Sequence, residues 1–301
     1  MRAIVTGGAG FIGSHVVDAL VARGDEVAVV DSLVHGTAEN VSSGAVLHVR
    51  DIRDPLDDLF DEVRPDAVFH LAAQADVRVS VEHPVDDAAV NVLGTVRILE
   101  AARGHGAQVV FASTGGAIYG ECEEPAREDS PTEPLSPYGT AKLAAEEYLR
   151  SYNRLHGTRH IALRYGNVYG PRQDPHGEAG VVAIFLGALA RGEQATIFGA
   201  GTQTRDYVYV GDVARATTST LGQDHGVFNV GTGRETSVVE LYELCARVAE
   251  SQETAEHAPA RMGELQRSFL DPELAARDLG FTAMVELEDG LRATWDWIRQ
   301  T

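Results

Sequence analysis

Thr6-Gly7-Gly8-Ala9-Gly10-Phe11-Ile12-Gly13 is the stretch whose reading decides the fold. It follows a short apolar run, Arg2 to Thr6, and opens an amphipathic segment ending near Gly24, so it reads as strand, turn, helix. Glycines at Gly7, Gly10 and Gly13 serve three physical ends: a tight turn, close approach of backbone to a pyrophosphate, and close packing of helix on strand. Phe11 and Ile12 start the helix at that anion-binding turn. Glu26 to Val30 reads as a second strand closed by Asp31, 18 residues after Gly13. A carboxylate there, with Ser32 beside it, accepts from ribose hydroxyls and repels a 2′-phosphate. The cofactor expected is therefore NAD rather than NADP.

Outward from this unit, strands and helices alternate. Strands are expected at Ala45–Val49, Ala67–Leu71, Gln108–Ser113 and His160–Tyr165. Helices are expected near Leu56–Val63, Asp87–Arg103 and Tyr138–His156. The alternation predicts an α/β fold, a doubly wound parallel sheet with right-handed crossovers. After Gly166 the pattern loosens through a Gly- and Pro-containing stretch, Gly170 to Gly180. Helices near Val181–Arg191, Ser237–Glu250 and Glu286–Arg299 follow, with short strands near Ala195–Phe198 and Tyr207–Val210. Residues 1–166 are thus expected to form the NAD-binding domain. Residues 167–301 are expected to form a smaller C-terminal substrate-binding domain, with some segments packing back on the sheet.

Three further segments belong to the cofactor in this reading. Asp51-Ile52 follows the third strand, where a carboxylate accepts from an adenine amino group and an isoleucine covers the ring. Leu71-Ala72-Ala73-Gln74 ends the fourth strand with small residues that admit a cofactor closely. Asn91 lies among Val92, Leu93, Val96 and Leu99, where a buried amide must find partners.

Composition narrows the function classes. Forty-five acidic residues against 25 basic ones give a net charge of −20. A field of that sign repels phosphate backbones and anionic lipid, so neither nucleic acid nor membrane is an expected partner. Cys122 and Cys245 stand far apart, outside any metal-ligand spacing, and no metal site is expected. The first strand begins at Arg2, which leaves no room for a signal peptide, and the expected location is the cytoplasm.

Of the 25 basic residues only Lys142 is lysine, and it lies four residues after Tyr138. Tyr138-Gly139-Thr140-Ala141-Lys142 on a helix puts the two side chains one turn apart on one face. A phenol with a pKa near 10 is a poor base at neutral pH. A compact ammonium beside it favours the phenolate and fits it for acid/base work.

These motifs together resemble the extended short-chain dehydrogenase/reductase family over essentially the whole chain. They run from the glycine turn through His70-Leu71-Ala72-Ala73, Asn91-x-x-Gly94-Thr95 and Tyr138-x-x-x-Lys142 to Arg164-Tyr165-Gly166-Asn167-Val168-Tyr169-Gly170-Pro171. Within the family the chain looks most like the NAD-dependent nucleotide-sugar epimerases. The resemblance implies a UDP-sugar substrate, a transient 4-keto intermediate, and Tyr138 and Lys142 as the catalytic pair, both also touching the cofactor. It implies a third catalytic hydroxyl contacting the sugar O4, Thr114 or Ser113, with Thr114 preferred. Related dehydratases carry an acidic pair directly after that hydroxyl; here Gly115-Gly116 stands instead. Substrate contacts are implied for Asn167, Val181, Ile197, Phe198, Arg205, Arg261, Glu264 and Ser268. In that set Arg205 and Arg261 grip phosphate and Glu264 binds ribose hydroxyls. Ile197-Phe198 covers the uracil, and small Ser268 leaves room near the sugar's 2-substituent. The sugar itself stays open among hexose, N-acetylhexosamine and uronic acid. A net oxidoreductase or decarboxylase on the same substrate class is the alternative activity. A homodimer through the helices at Asp87–Arg103 and Tyr138–His156 is also implied, with Ala88, Val92, Leu99, Ala144 and Leu149 as its apolar surface.

Overall fold

Runs of Val, Ile, Ala and Phe with no polar alternation mark strands covered on both faces. Arg2–Thr6 (β1), Glu26–Asp31 (β2), Ala45–Val49 (β3), Ala67–His70 (β4), Gln108–Thr114 (β5), Ile161–Tyr165 (β6) and Gly226–Val230 (β7) make one seven-stranded sheet. The computed structural model describes residues 1–174, 180–261 and 264–300. Residues 175–179 of the Gly170–Gly180 stretch, and Met262 and Gly263, lie outside the described residues.

The order across the sheet is β7-β6-β5-β4-β1-β2-β3. β1 pairs in parallel with both β2 and β4, β2 with β3, and β4 with β5. The chain therefore winds one way from β1 to β3 and the other way from β4 onward. The switch point falls between β1 and β4, where open α/β sheets bind their ligands. The edge strand β7 was not expected from sequence, nor was helix Val210–Ser219 before it. Helices Val77–Glu82 and Glu273–Leu279 were also unforeseen.

The chain forms two compact units. The first gathers Met1–Ile118, Pro134–Arg164 and Ala214–Phe228. Its core joins Ile4, Val30, Val68, Val109 and Phe111 of the sheet to Leu59, Phe60, Ile98, Leu99 and Leu149 of the helices. The second gathers Tyr119–Glu133, Tyr165–Val213 and the chain from Asn229 onward. Its core is built on Tyr169, Phe185, Leu186, Ile197, Leu241 and Leu291. No described helix is long and apolar enough to cross a membrane.

The expected helix Asp87–Arg103 is not continuous. Pro84–Ala88 is α-helical, Ala89–Gly94 widens to a π-helix, and Thr95–His105 returns to α. Two sets of hydrogen bonds explain the widening. Asn91 exchanges both its amide groups with the Gln74 backbone, at 3.0 and 2.8 Å, and Thr95 Oγ1 donates to the Asn91 carbonyl at 2.7 Å. Side chains inserted into the helical ladder open a turn in this way. The expected apolar surface is corrected in part: Leu99 and Leu149 are consumed by the core. Exposed apolar side chains on or near those helices include Val85, Leu93, Leu135, Tyr148 and Leu155.

Candidate active site

At the switch point the glycine turn is forced by crowding. Gly7 has φ of +72°, and a Cβ there would stand 2.6 Å from the Ala72 nitrogen. A Cβ on Gly13 would stand 2.0 Å from the Gly7 carbonyl oxygen. No larger residue closes this turn. The turn opens on a cavity of about 240 Å³, whose lining includes Gly7, Gly10, Asp31, Ser32, Asp51, Ile52 and the run Leu71 to Gln74. Phe11 and Ile12 begin helix Phe11–Ala22 behind it. Val34, His35, Gly36, Arg50, Arg53 and Val90 also line the cavity, and sequence reading missed them. Most of them come from loops after the strands, which carry no periodic signal.

Asp31 fixes the turn before it meets any ligand: Oδ2 accepts from Ala9 N at 3.0 Å and Oδ1 from Leu33 N at 2.9 Å. Each oxygen keeps a further lone pair. Asp51 is held by Arg53, which donates from Nε and Nη2 at 3.0 and 2.6 Å. The guanidinium holds that carboxyl below the usual carboxylate range. Ile52 is buried in the core as well as lining the cavity. A turn without side chains, a carboxylate at the β2 end and an apolar floor are what a dinucleotide needs. The residues present fit NAD.

At the carboxyl end of β5 the strand hands its side chains to two different tasks. Ser113 is buried and donates to Glu146 Oε1 at 2.6 Å. Glu146 is also gripped by the Arg164 guanidinium, at 2.9 Å from Nε and 2.7 Å from Nη2. Thr114, half-buried, is instead the side chain that favours the ionised form of the Tyr138 phenol. Tyr138 stands in the first turn of helix Pro137–His156, which Ser136 caps by accepting from Gly139 N at 3.2 Å. Proline at the first helical position and serine before it are strong start signals. The Tyr138 backbone N–H donates to Ser80 Oγ at 3.2 Å, a contact sequence gave no sign of.

Lys142 is buried; Nζ donates to the Ala112 carbonyl at 2.8 Å and lies 4.7 Å from the Phe111 ring centroid. It is 5.9 Å from the centroid of the Tyr138 ring. Burial pulls the ammonium down to about 8, opposed by Asp87 and Glu146. Burial pushes the Tyr138 phenol up to about 12, Asp87 adds to the rise, and Thr114 opposes it. Burial is the largest influence on both groups, and Asp87 and Glu146 favour the charged form of the ammonium.

In the second unit, Arg205 donates from Nη1 to the Thr204 carbonyl at 2.8 Å. Strand Thr204–Arg205 pairs with Arg267–Ser268, setting Ser268 opposite Arg205. Glu264 Oε1 accepts from Gln203 Nε2 at 3.4 Å. The Arg261 guanidinium stacks 3.7 Å from the Phe198 ring centroid. Ile197 is buried in that unit's core, which leaves Phe198 as the half-buried member of the pair. Asn167 N donates to the Asp206 carbonyl at 2.7 Å, and Val181 begins helix Val181–Ala190.

The chain is similar to known proteins over nearly its full length. A UDP-glucose 4-epimerase of Mycolicibacterium smegmatis is 46% identical over 99% of both chains. A crystal structure of the Thermotoga maritima UDP-glucose 4-epimerase with UDP-glucose matches at a TM-score of 0.98 and 46% identity, covering 100% of this chain and 99% of that one. The Thermus thermophilus UDP-glucose 4-epimerase in complex with NAD matches at a TM-score of 0.95 and 48% identity, covering 99% of each. The family model described as NAD dependent epimerase/dehydratase matches residues 3–231, the span from β1 through β7 that carries both the glycine turn and the Tyr138–Lys142 helix. Fold, turn and likeness lead to one assignment: the chain belongs to the NAD dependent epimerase/dehydratase family.

Proposed function

We propose that the chain epimerises a UDP-linked sugar at C4, with NAD as a cofactor that is regenerated in each turnover. The observation that carries this reading is the Thr114–Tyr138–Lys142 constellation at the β5 end, beside a cleft that fits NAD, in a chain similar over nearly its full length to UDP-glucose 4-epimerases. NAD, when bound, supplies reversible hydride acceptance from the sugar carbon. The protein's own residues manage the proton and the orientation. The Tyr138 oxygen takes the proton of the sugar 4-hydroxyl and later returns it. The Thr114 hydroxyl donates toward that same oxygen pair, steadying negative charge as it develops. Lys142 brings a buried ammonium to the same helix face and favours the deprotonated phenol. Arg205 and Arg261 supply forked donors for a diphosphate, and Glu264 supplies an acceptor for ribose hydroxyls.

Gly115-Gly116 separates this reading from dehydration, since elimination of water needs an acid and a base where these glycines stand. Incubation with UDP-galactose, with product analysis and an NADH absorbance trace, is the test. UDP-glucose formed without net NADH supports epimerisation. Stoichiometric NADH would instead show the oxidoreductase, and carbon dioxide released in a parallel incubation with UDP-glucuronate would show the decarboxylase.

We also propose a homodimer. Pro84, Ala88, Val92, Leu135, Pro137 and Ala144 line one shallow apolar depression on the first unit, flanked by exposed Val85 and Leu93. Two copies pairing there would bury it in a four-helix contact. Light scattering should give twice 32.2 kDa; the monomer mass at working concentration would refute it. Cys122 and Cys245 are buried free thiols, which suits the reducing conditions of the cytoplasm.

A further inference from the structure

Asp206 is buried, and its carboxylate is bonded from two other stretches of chain. Oδ1 accepts from Thr232 N at 2.8 Å and from Thr232 Oγ1 at 2.6 Å. Oδ2 accepts from Gly233 N at 3.1 Å and from Leu270 N at 3.3 Å. Arg234 N donates to Thr232 Oγ1 at 3.2 Å, so the one proton of that hydroxyl is directed at Asp206. All four of these partners donate, as a buried carboxylate requires. The backbone of the same residue adds two bonds. Asp206 N donates to the Ser268 carbonyl at 3.2 Å, and the Asp206 carbonyl accepts from Asn167 N at 2.7 Å. Gly231 makes room for the carboxylate, since a Cβ there would stand 2.4 Å from Oδ2.

The segments joined in this way carry residues assigned to the substrate. Arg205 immediately precedes Asp206 on the strand Thr204–Arg205, and its parallel partner Ser268 lies on a strand equally short. Two residues of ladder specify register weakly, and a slip of one residue would turn Arg205 and Ser268 to the opposite face. We propose that Asp206 is a positioning residue for the substrate: it pins the Thr204–Arg205 strand to Ser268, Asn167 and the Thr232-Gly233 segment, so that the Arg205 guanidinium is held where a nucleoside diphosphate binds. The inference rests on the reading of the substrate as a UDP-linked sugar. Every residue in it belongs to the second unit.

Binding of UDP alone reads this role without any turnover. Asp206→Asn keeps the size of the side chain, but in either orientation its NH2 group meets a backbone N–H. Its Kd for UDP, by calorimetry, should rise about tenfold or more, and KM for UDP-galactose should follow with kcat much less changed. Thr232→Val removes one bond to Oδ1 and should move Kd the same way by a smaller factor. Thr232→Ser, which keeps the hydroxyl, should bind UDP as the parent does. Leu241→Ala opens a cavity in the core of the same unit; it should lower the melting midpoint yet leave the Kd of folded protein at the parental value. Parental UDP affinity in folded Asp206→Asn overturns the proposal, as does an equal rise in Leu241→Ala. If Asp206→Asn lacks a cooperative melt, parental affinity in Thr232→Val overturns it instead. A parent protein that binds UDP but does not epimerise UDP-galactose sinks the epimerase reading, and one that does not bind UDP sinks both.

Discussion

His70 is fully buried with its Nε2 3.0 Å from Thr95 Oγ1, and burial favours the neutral ring. Thr95 already donates to the Asn91 carbonyl, so it accepts from His70, and Nε2 carries the proton. Nδ1 then accepts from Thr6 Oγ1 at 2.6 Å, while Thr6 accepts from Ala72 N at 3.3 Å. A second ring proton, on Nδ1, would force the Thr6 hydroxyl to turn its own proton away from the ring. Burial pushes His70 down to about 3, with the Lys142 charge adding to the fall. His160, whose Nδ1 accepts from Val109 N, is pushed down to about 4 by burial alone.

A pH dependence of stability follows. Both histidines have folded values below the ordinary 6.5, so the unfolded chain takes protons that the folded chain refuses. Stability is complete above about pH 6.5 and is lost as pH falls toward 4, at up to about 1.4 kcal/mol per pH unit for each histidine. Melting midpoints at one protein concentration should drop between about pH 7 and pH 5. His70→Gln, which cannot titrate, should show a shallower drop. A midpoint flat across that range, or the same slope in the variant, would contradict the neutral buried ring.

Ser113 and Thr114 were left open by sequence as the catalytic hydroxyl, and their neighbours give them different expected losses. Ser113→Ala leaves Glu146 one donor short inside the core, so its cost should appear in stability, about 1–3 kcal/mol. Its folded fraction should keep most of the activity. Thr114→Ala should melt like the parent and lose about a hundredfold in kcat, with Thr114→Ser recovering much of it. Equal activity losses at the two positions in folded protein would count against Thr114.

The lone lysine gives a third prediction. Nζ of Lys142 has the Ala112 carbonyl as its hydrogen-bond acceptor and the Phe111 ring at its back. A guanidinium is wider, needs acceptors in a plane, and has no such set here. Lys142→Arg should therefore lose more than tenfold in rate, above about 1.4 kcal/mol of transition-state stabilisation. Tyr138→Phe should abolish turnover while its melt and its NAD content stay at parental values. Retention of a tenth of the rate in Lys142→Arg, or near-normal turnover in folded Tyr138→Phe, would remove the respective assignment.

The legible parts of the molecule were those in which chemistry and periodicity agree. The glycine turn, Asp31 and the Tyr138–Lys142 spacing each combine a residue type with a position on a strand end or helix face. β1, β3 and helix Pro137–His156 accordingly fall where the apolar pattern places them. The Asp87 hydrogen bonds to Gln74 and Asn91 are not legible in sequence, because the acidic pair Asp86-Asp87 reads as a solvated surface. Their one local sign is the spacing of one helical turn from Asp87 to Asn91. The π-segment was unreadable since it depends on Gln74, distant in sequence. β7 was missed because Gly226–Val230 is short and is held as a strand only through pairing at the sheet edge. Both are tertiary effects, and local propensity carries no trace of them.

The final prediction concerns which sugar is admitted. Ser268 lies four residues after Glu264, on the two-residue strand paired with Thr204–Arg205, and its side chain is buried. Its carbonyl accepts from Asp206 N at 3.2 Å, so the backbone is pinned and only the side chain is free to vary. In the epimerases this chain resembles, a bulky aromatic at that spacing closes the wall near the sugar's 2-substituent, whereas a small residue leaves room for an N-acetyl group. Serine should therefore admit UDP-N-acetylglucosamine alongside UDP-glucose. Ser268→Tyr adds a ring at a pinned backbone position, so the volume has to come from the space beside it. Activity on the N-acetylated substrate should fall at least tenfold further than activity on UDP-glucose, a difference of about 1.4 kcal/mol. A melt of the variant separates this from general overpacking, which would lower both activities together. Equal loss on the two substrates, or a parent enzyme inert toward UDP-N-acetylglucosamine, would show that another residue sets the width of the pocket.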